Sequence, residues 1–200
     1  NRSLNKKIET KNLLILTEHD HVYTIGKSGD MSNLLIDKDE LIKRQIELFK
    51  INRGGDITYH GPGQIMGYPI FDLDNFFTDI NLYLRKLEEV IINTLKSYSL
   101  KGFTIKGETG VWVEDEDGLS KKICAFGIRA SRWVTMHGLC LNVDPDLSFF
   151  DHIIPCGIQN KGITSLKQLK KGDIDINEVK SRLVENFKLV FNAEISFEAN

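Results

Sequence analysis

Apolar and polar residues alternate along this chain on two periods, and the changes of period mark its elements. Near the start, NLLILTE and HVYTIG are short apolar runs separated by the polar EHD, and they read as two strands of a hairpin or meander. Asp37 with Glu40 three residues later has the pattern of a capping box and opens a short helix, DELIKRQ, after which IELFKI resumes a strand pattern. The glycine-rich stretch RGGDITYHGPGQ comes next. QIMGYPIFDL is again β-like, but its Gly67 and Pro69 predict an edge or bent strand rather than the middle of a regular sheet.

Helical spacing takes over from Thr78 to Leu100. Leu84, Leu87, Val90, Ile91 and Leu95 form one stripe, with Arg85, Lys86, Glu88 and Glu89 on the other side. GVWVE, KKICAFGIRA and RWVTMHGLCLNV supply three more strands, the first two joined by the polar EDEDGLSK, and INEVKSRLVENFKLVF is a second long helix capped by Asp175. Strands and helices stand in blocks rather than alternating. That predicts an α+β fold, a mixed β-sheet with packed helices, in preference to a doubly wound one.

Composition narrows the classes. Two hundred residues, 41% of them hydrophobic, fit a single domain over 1–200 with its own core. The net charge of −2, from 26 basic and 28 acidic residues spread along the chain, leaves no basic tail, so no nucleic-acid partner is expected. No apolar run approaches the ~20 residues of a membrane span, and the polar NRSLNKKIETKN has no apolar core of a signal peptide. The expectation is a cytoplasmic protein without a membrane partner. Because the first residue is Asn1, a truncated N-terminal element or a removed organellar transit peptide is compatible with this reading.

Cys124 and Cys140 lie in apolar strand-like stretches where cysteine behaves as a small buried hydrophobe. Cys156 differs, since IIPCGI is turn chemistry that can present a thiol to a cleft. No Cys-x-x-Cys pair is present, and His19 and His21 lack a third ligand at diagnostic spacing, so no metal is expected. In RGGDITYHGPGQ, Gly54 and Gly55 would let a ligand lie against the backbone, with Arg53 as a fixed cation holding a loop or a carboxylate and Tyr59 and His60 as polar edges. The alternative is a tight connection in which the glycines serve turn geometry and His60 is a structural histidine. A nucleotide-binding P-loop is not supported, because G-x-x-x-x-G-K-[ST] is absent. Lys122 could project into a cleft and lower a thiol pKa, or be a solvated surface charge. His137, alone on a strand, reads as a core hydrogen-bonding group.

RGGDITYHGPGQIMGYPIFDL resembles the signature of the lipoyl(octanoyl) transferase family, and GVWV, KICAFGIR, WVTMHGLCLNVDPDLSFF and IIPCGI resemble its remaining blocks in order, from Leu13 to Leu166. The family's usual N-terminal strand and helix before LLILTE are shortened or missing in this comparison. The resemblance implies the fold of the biotin and lipoate protein ligase catalytic domain. It also implies an acyltransferase, with Cys156 as the acyl-thioester nucleophile and Lys122 as the residue that lowers its pKa and carries protons. Acyl-chain contacts would come from Arg53, Gly54, Gly55, Asp56, Ile57, Thr58, Tyr59 and His60, from Ala125, Phe126 and Gly127, and from Gly138, Leu139 and Cys140. At the last position the family more often has alanine or serine, which makes Cys140 a pocket-lining thiol.

By that resemblance the donor is octanoyl-acyl carrier protein, and the acceptors are lipoyl domains of 2-oxoacid dehydrogenases and the glycine cleavage H protein. The product is an octanoyl (or lipoyl) amide, formed without a cofactor. Two rivals remain at this stage: an ATP-dependent lipoate ligase on the same fold, and a carrier-binding module without catalysis. Cys156 in its motif argues against the first, and retention of both Lys122 and Cys156 argues against the second.

Overall fold

A computed structural model of the chain describes residues 10–154 and 162–197. Among the described residues nine strands form two sheets: β1 (Leu13–Thr17), β2 (Val22–Ile25), β3 (Glu47–Lys50), β4 (Ile57–His60), β5 (Gln64–Ile70), β6 (Phe103–Ile105), β7 (Glu108–Glu114), β8 (Ser120–Ser131) and β9 (Val134–Asn142). The larger sheet runs β1-β5-β9-β8-β7-β6 with every neighbour antiparallel. The smaller, β3-β2-β4, is mixed, β2 being parallel to β3 and antiparallel to β4. A parallel pair needs a crossover, and here it contains α1 (Lys38–Lys43), whose start is capped where Asp37 Oδ1 accepts from Glu40 N at 2.9 Å.

Helices α2 (Ile80–Lys96) and α4 (Ile176–Phe191) cover one face of the large sheet, and α3 (Leu166–Lys170) is a short turn between β9 and α4. Asp79 and Asp175 cap the two long helices, Asp175 as its sequence predicts. Tyr83, Leu87, Val90, Ile91 and Leu95 of α2 and Val179, Leu183 and Phe187 of α4 are buried against Ile65, Val111, Leu139 and Leu141 of the sheet. Glu88 departs from the expected solvent face. It is buried, its carboxylate 2.6 Å from Arg85 Nη1, and desolvation raises its pKa despite that neighbour.

A second core lies beyond the small sheet, built from Tyr23, Ile25, Leu41, Ile46, Ile57, Tyr59 and Ile153. The α+β expectation with a mixed sheet therefore holds, with two corrections. First, β1 and β2 are not a hairpin: β1 pairs with β5, while β2 belongs to the other sheet. Second, β5 is an internal strand. Pro69 is tolerated because the β5–β9 pairing ends at Gly67↔Leu139, and beyond it the Thr135 hydroxyl donates to Pro69 O at 2.7 Å and accepts from Phe71 N at 2.8 Å. A side chain thus replaces the ladder where proline has no donor. No helix among the described residues is long and apolar enough to cross a membrane.

Candidate active site

Strand alternation decides which side chains face the space between the two sheets. Cross-strand partners Val22↔His60 and Thr24↔Thr58 present one face of the small sheet, while Tyr23↔Tyr59 and Ile25↔Ile57 present the other to the second core. Opposite them, Met66, Cys140 and Ala125 stand in register across β5, β9 and β8. Between the two faces is a cavity of about 340 Å³. Gly127 and Gly138 are paired in its floor and add no side chain to fill it.

The Arg53–Gly54–Gly55 loop joins the sheets at one side. Arg53 is buried, its guanidinium donating to Thr24 Oγ1 at 3.1 and 3.0 Å and to Gly54 O at 2.9 Å, while Gly54 N donates to Ile128 O at 3.3 Å. Arg53 therefore holds a loop. A Cβ at Gly127 would stand 2.8 Å from Arg53 Cδ, and Gly55 has φ +85°, so both glycines answer a specific geometric demand. Asp56 secures the loop from behind: Oδ1 accepts from Ile57 N at 2.6 Å and Oδ2 from Asn33 Nδ2 at 2.6 Å.

His60 is buried, its Nε2 3.4 Å from the Thr24 hydroxyl that also accepts from Arg53, and its Nδ1 is buried with no hydrogen-bond partner among the described residues. Burial pushes its pKa down to about 3, helped by the positive Arg53 and by His19, so the ring is neutral. Because the folded pKa is depressed below the unfolded value of about 6.5, His60 contributes its full stability above pH 6.5 and loses it as pH falls toward 3. At pH 5 the loss is about 2 kcal/mol, or roughly 4–8 °C in melting temperature. Melting curves at pH 7 and pH 5 should therefore separate more for the wild type than for His60→Gln; parallel shifts would mean that the ring is not held neutral.

A second, smaller cavity of about 40 Å³ adjoins the first and is lined by Lys122, Asn142, Phe150 and Ile163, together with Ile57, Thr58, Ala125 and Cys140. Lys122 is the third residue of β8, half-buried, with its ammonium 4.7 Å from the Trp112 ring centroid. Its main chain holds the strand edge: Lys122 N donates to Gly162 O at 2.9 Å, and Thr164 N donates to Lys122 O at 3.0 Å. A buried relay supports the same corner, Gly61 N to Gln64 Oε1 (2.9 Å), Gln64 Nε2 to Asn142 Oδ1 (2.8 Å) and Asn142 Nδ2 to Thr164 O (3.0 Å). Cys156 lies outside the described residues. Ile154, two residues before it, donates from N to Asn33 O at 2.8 Å.

Of the residues singled out in the sequence, Arg53, Gly55, Ile57, Thr58, His60, Ala125, Phe126, Gly127, Gly138, Leu139 and Cys140 line the large cavity. Gly54, Asp56 and Tyr59 do not: Gly54 and Asp56 fix the loop, and the Tyr59 ring is in the second core, bonded to His21 Nδ1 at 2.8 Å. Val22, Thr24, Phe49, Met66, Tyr68 and His137 also line it and were not anticipated as lining residues. His137 is only half-buried, has φ +61° and bonds Asn52 Oδ1 at 2.7 Å, so it is a rim residue rather than a core one. His19 bonds Tyr68 OH at 2.6 Å, and no metal-binding cluster occurs among the described residues. Cys124 and Cys140 are buried free thiols, and burial pushes the Cys140 pKa up to about 12.

Comparison with known proteins agrees with this architecture. An octanoyltransferase of Christiangramia forsetii is 55% identical over 99% of this chain and 85% of its own length, and one of Flavobacterium johnsoniae is 55% identical over 98% and 84%. Among solved structures, lipoate-protein ligase A bound with ATP has a TM-score of 0.77 at 19% identity, covering 94% of this chain and 76% of that one. A bipartite lipoate protein ligase of Thermoplasma acidophilum has 0.75 at 20%, covering 94% and 74%. At those identities the solved structures speak for the fold. The family described as Lipoyl protein ligase A/B catalytic domain matches residues 2–188, and with it the chain belongs to that family and, within it, to the octanoyltransferases, which are acyltransferases.

Proposed function

We propose that the chain moves an octanoyl group from acyl carrier protein, through a thioester on Cys156, to the ε-amine of a lysine in a lipoyl domain, the first step of protein lipoylation from endogenous octanoate. The Cys156 thiolate attacks the donor's carbonyl carbon, and the bond to the phosphopantetheine sulfur breaks, releasing that thiol after it takes a proton. The acceptor amine then attacks the new thioester; an amide forms, the Cys156 sulfur leaves, and the amine proton passes to it through Lys122. Lipoyl domains of 2-oxoacid dehydrogenases and of the glycine cleavage H protein are the acceptors in this reading.

One observation carries it: an apolar cavity between the sheets adjoins a small chamber at Lys122, and the main chain of Lys122 binds Gly162, six residues after Cys156. Gly162 is thereby tied to the lysine's own strand, and in this reading an acyl chain in the cavity would place its carbonyl at that corner. The large cavity supplies burial for the chain, worth ~0.8 kcal/mol per methylene.

The test is transfer without ATP. Incubated with octanoyl-acyl carrier protein and an unmodified lipoyl domain, the enzyme should yield octanoylated acceptor by intact mass. A strict requirement for ATP and free octanoate would instead make the chain a ligase.

A further inference from the structure

Strict alternation along β8 would bury the Lys122 side chain under the helices, and one extra residue prevents it. Val111 of β7 pairs with Cys124, but the next residue, Trp112, pairs with Lys122, so Ile123 is the extra residue of a β-bulge. Its signature is that Ile123 and Cys124, adjacent in sequence, are both buried in the core beneath α2 and α4. In an unbroken ladder Lys122 would oppose Val113, which belongs to that same core. The bulge turns it to the other face, where it lines the small chamber with Ala125.

Two residues of β7 receive the side chain once it is turned. A Cβ at Gly110 would stand 2.9 Å from Lys122 Cε, 3.2 Å from its Cδ and 3.0 Å from Cys124 O, so glycine leaves the space that the lysine stem occupies. Trp112 is buried, and the ammonium lies over its ring, 4.7 Å from the centroid. We propose that the bulge, Gly110 and Trp112 form a seat that holds the Lys122 ammonium in the chamber, and that Trp112 is a positioning residue for acyl transfer. The proposal rests on the reading above in which Lys122 serves Cys156. A lysine carries its charge on a flexible stem that would otherwise spread over several rotamers. The negative face of the indole favours the one that points at it.

Trp112→Leu keeps an apolar side chain but removes the π-face, whereas Trp112→Phe keeps a ring. Folded Trp112→Leu should lower kcat for octanoyl transfer about 5–30-fold, the population effect of a largely desolvated cation–π contact. It should also move alkylation of Cys156 to higher pH, in the same direction as Lys122→Met, and Trp112→Phe should recover most of both effects. In a Lys122→Met background the leucine substitution should change either readout by no more than about twofold, because no ammonium remains to be seated. A wild-type alkylation profile in Trp112→Leu, a phenylalanine variant no better than leucine, or an equal loss of rate with and without Lys122 would each overturn the proposal. If Lys122→Met itself leaves the profile in place, the Lys122 reading fails and the seat with it; if Lys122→Met shifts the profile and Trp112→Leu does not, the seat alone fails. Should Trp112→Leu not fold, the wild type decides by NMR. The ε-methylene protons of Lys122, identified by their loss in Lys122→Met, should resonate upfield of the other lysines under the ring current of the indole, and an ordinary shift would overturn the seat.

Discussion

Cys156→Ala should abolish octanoyl transfer, lowering turnover on the order of 10⁴-fold or more, as loss of a covalent nucleophile does elsewhere. Wild-type enzyme exposed to octanoyl-acyl carrier protein without acceptor should gain one octanoyl mass, and peptide mapping should find it on Cys156. The two other thiols are poor competitors, because both are buried in β8 and β9 and burial raises their pKa values well above the ordinary thiol range. If the Cys156→Ala protein accumulates the adduct as the wild type does, the thioester lies elsewhere, and Cys140 in the cavity wall is the next residue to map.

Lys122→Met should shift alkylation of Cys156 to higher pH and depress turnover. Removal of a neighbouring ammonium raises a thiol pKa. A rise of two units lowers the thiolate fraction about a hundredfold while the thiol is mostly protonated. The bonds from Lys122 to Gly162 and Thr164 are made by its main chain and survive any side-chain change. Methionine also keeps an apolar stem against Trp112. Lys122→Arg preserves the charge but cannot readily exchange a proton, so it should retain much of the low thiol pKa and lose transfer to the amine. The alkylation profile is measured with Cys124 and Cys140 substituted. Coincident pH profiles and rates for Lys122→Met and wild type would return Lys122 to the role of a structural cation over an indole.

The sequence is most legible where local chemistry is self-contained. Asp37 and Asp175 announce their helices because a cap bonds amides two or three residues away, which needs no knowledge of the fold. The resemblance carried by RGGDITYHGPGQ locates the cavity loop, but residue contacts do not follow a contiguous motif. Alternation in β4 turns Thr58 and His60 toward the cavity and Tyr59 away, and Asp56 spends its carboxylate on Ile57 N and Asn33. Met66, Tyr68, Val22 and Thr24 were invisible as lining residues because they enter through pairing between distant strands. The internal position of β5 was hidden for a related reason: Pro69 looks disruptive until Thr135, far along the chain, is seen filling its place.

The small sheet and its core are almost entirely encoded between Thr17 and Gln64, yet these two residues belong to adjacent strands of the large sheet. Pairing β1 with β5 therefore closes a loop that contains the whole roof of the cavity, and loop-closure entropy opposes that step until the roof has become compact. The cavity is thus a seam between an inserted lobe and its host sheet. Amides of β2 and β4 are expected to exchange with solvent as one cooperative group, distinct from those of β8 and β9, and an acyl chain lodged in the seam would bind both sides and slow that opening.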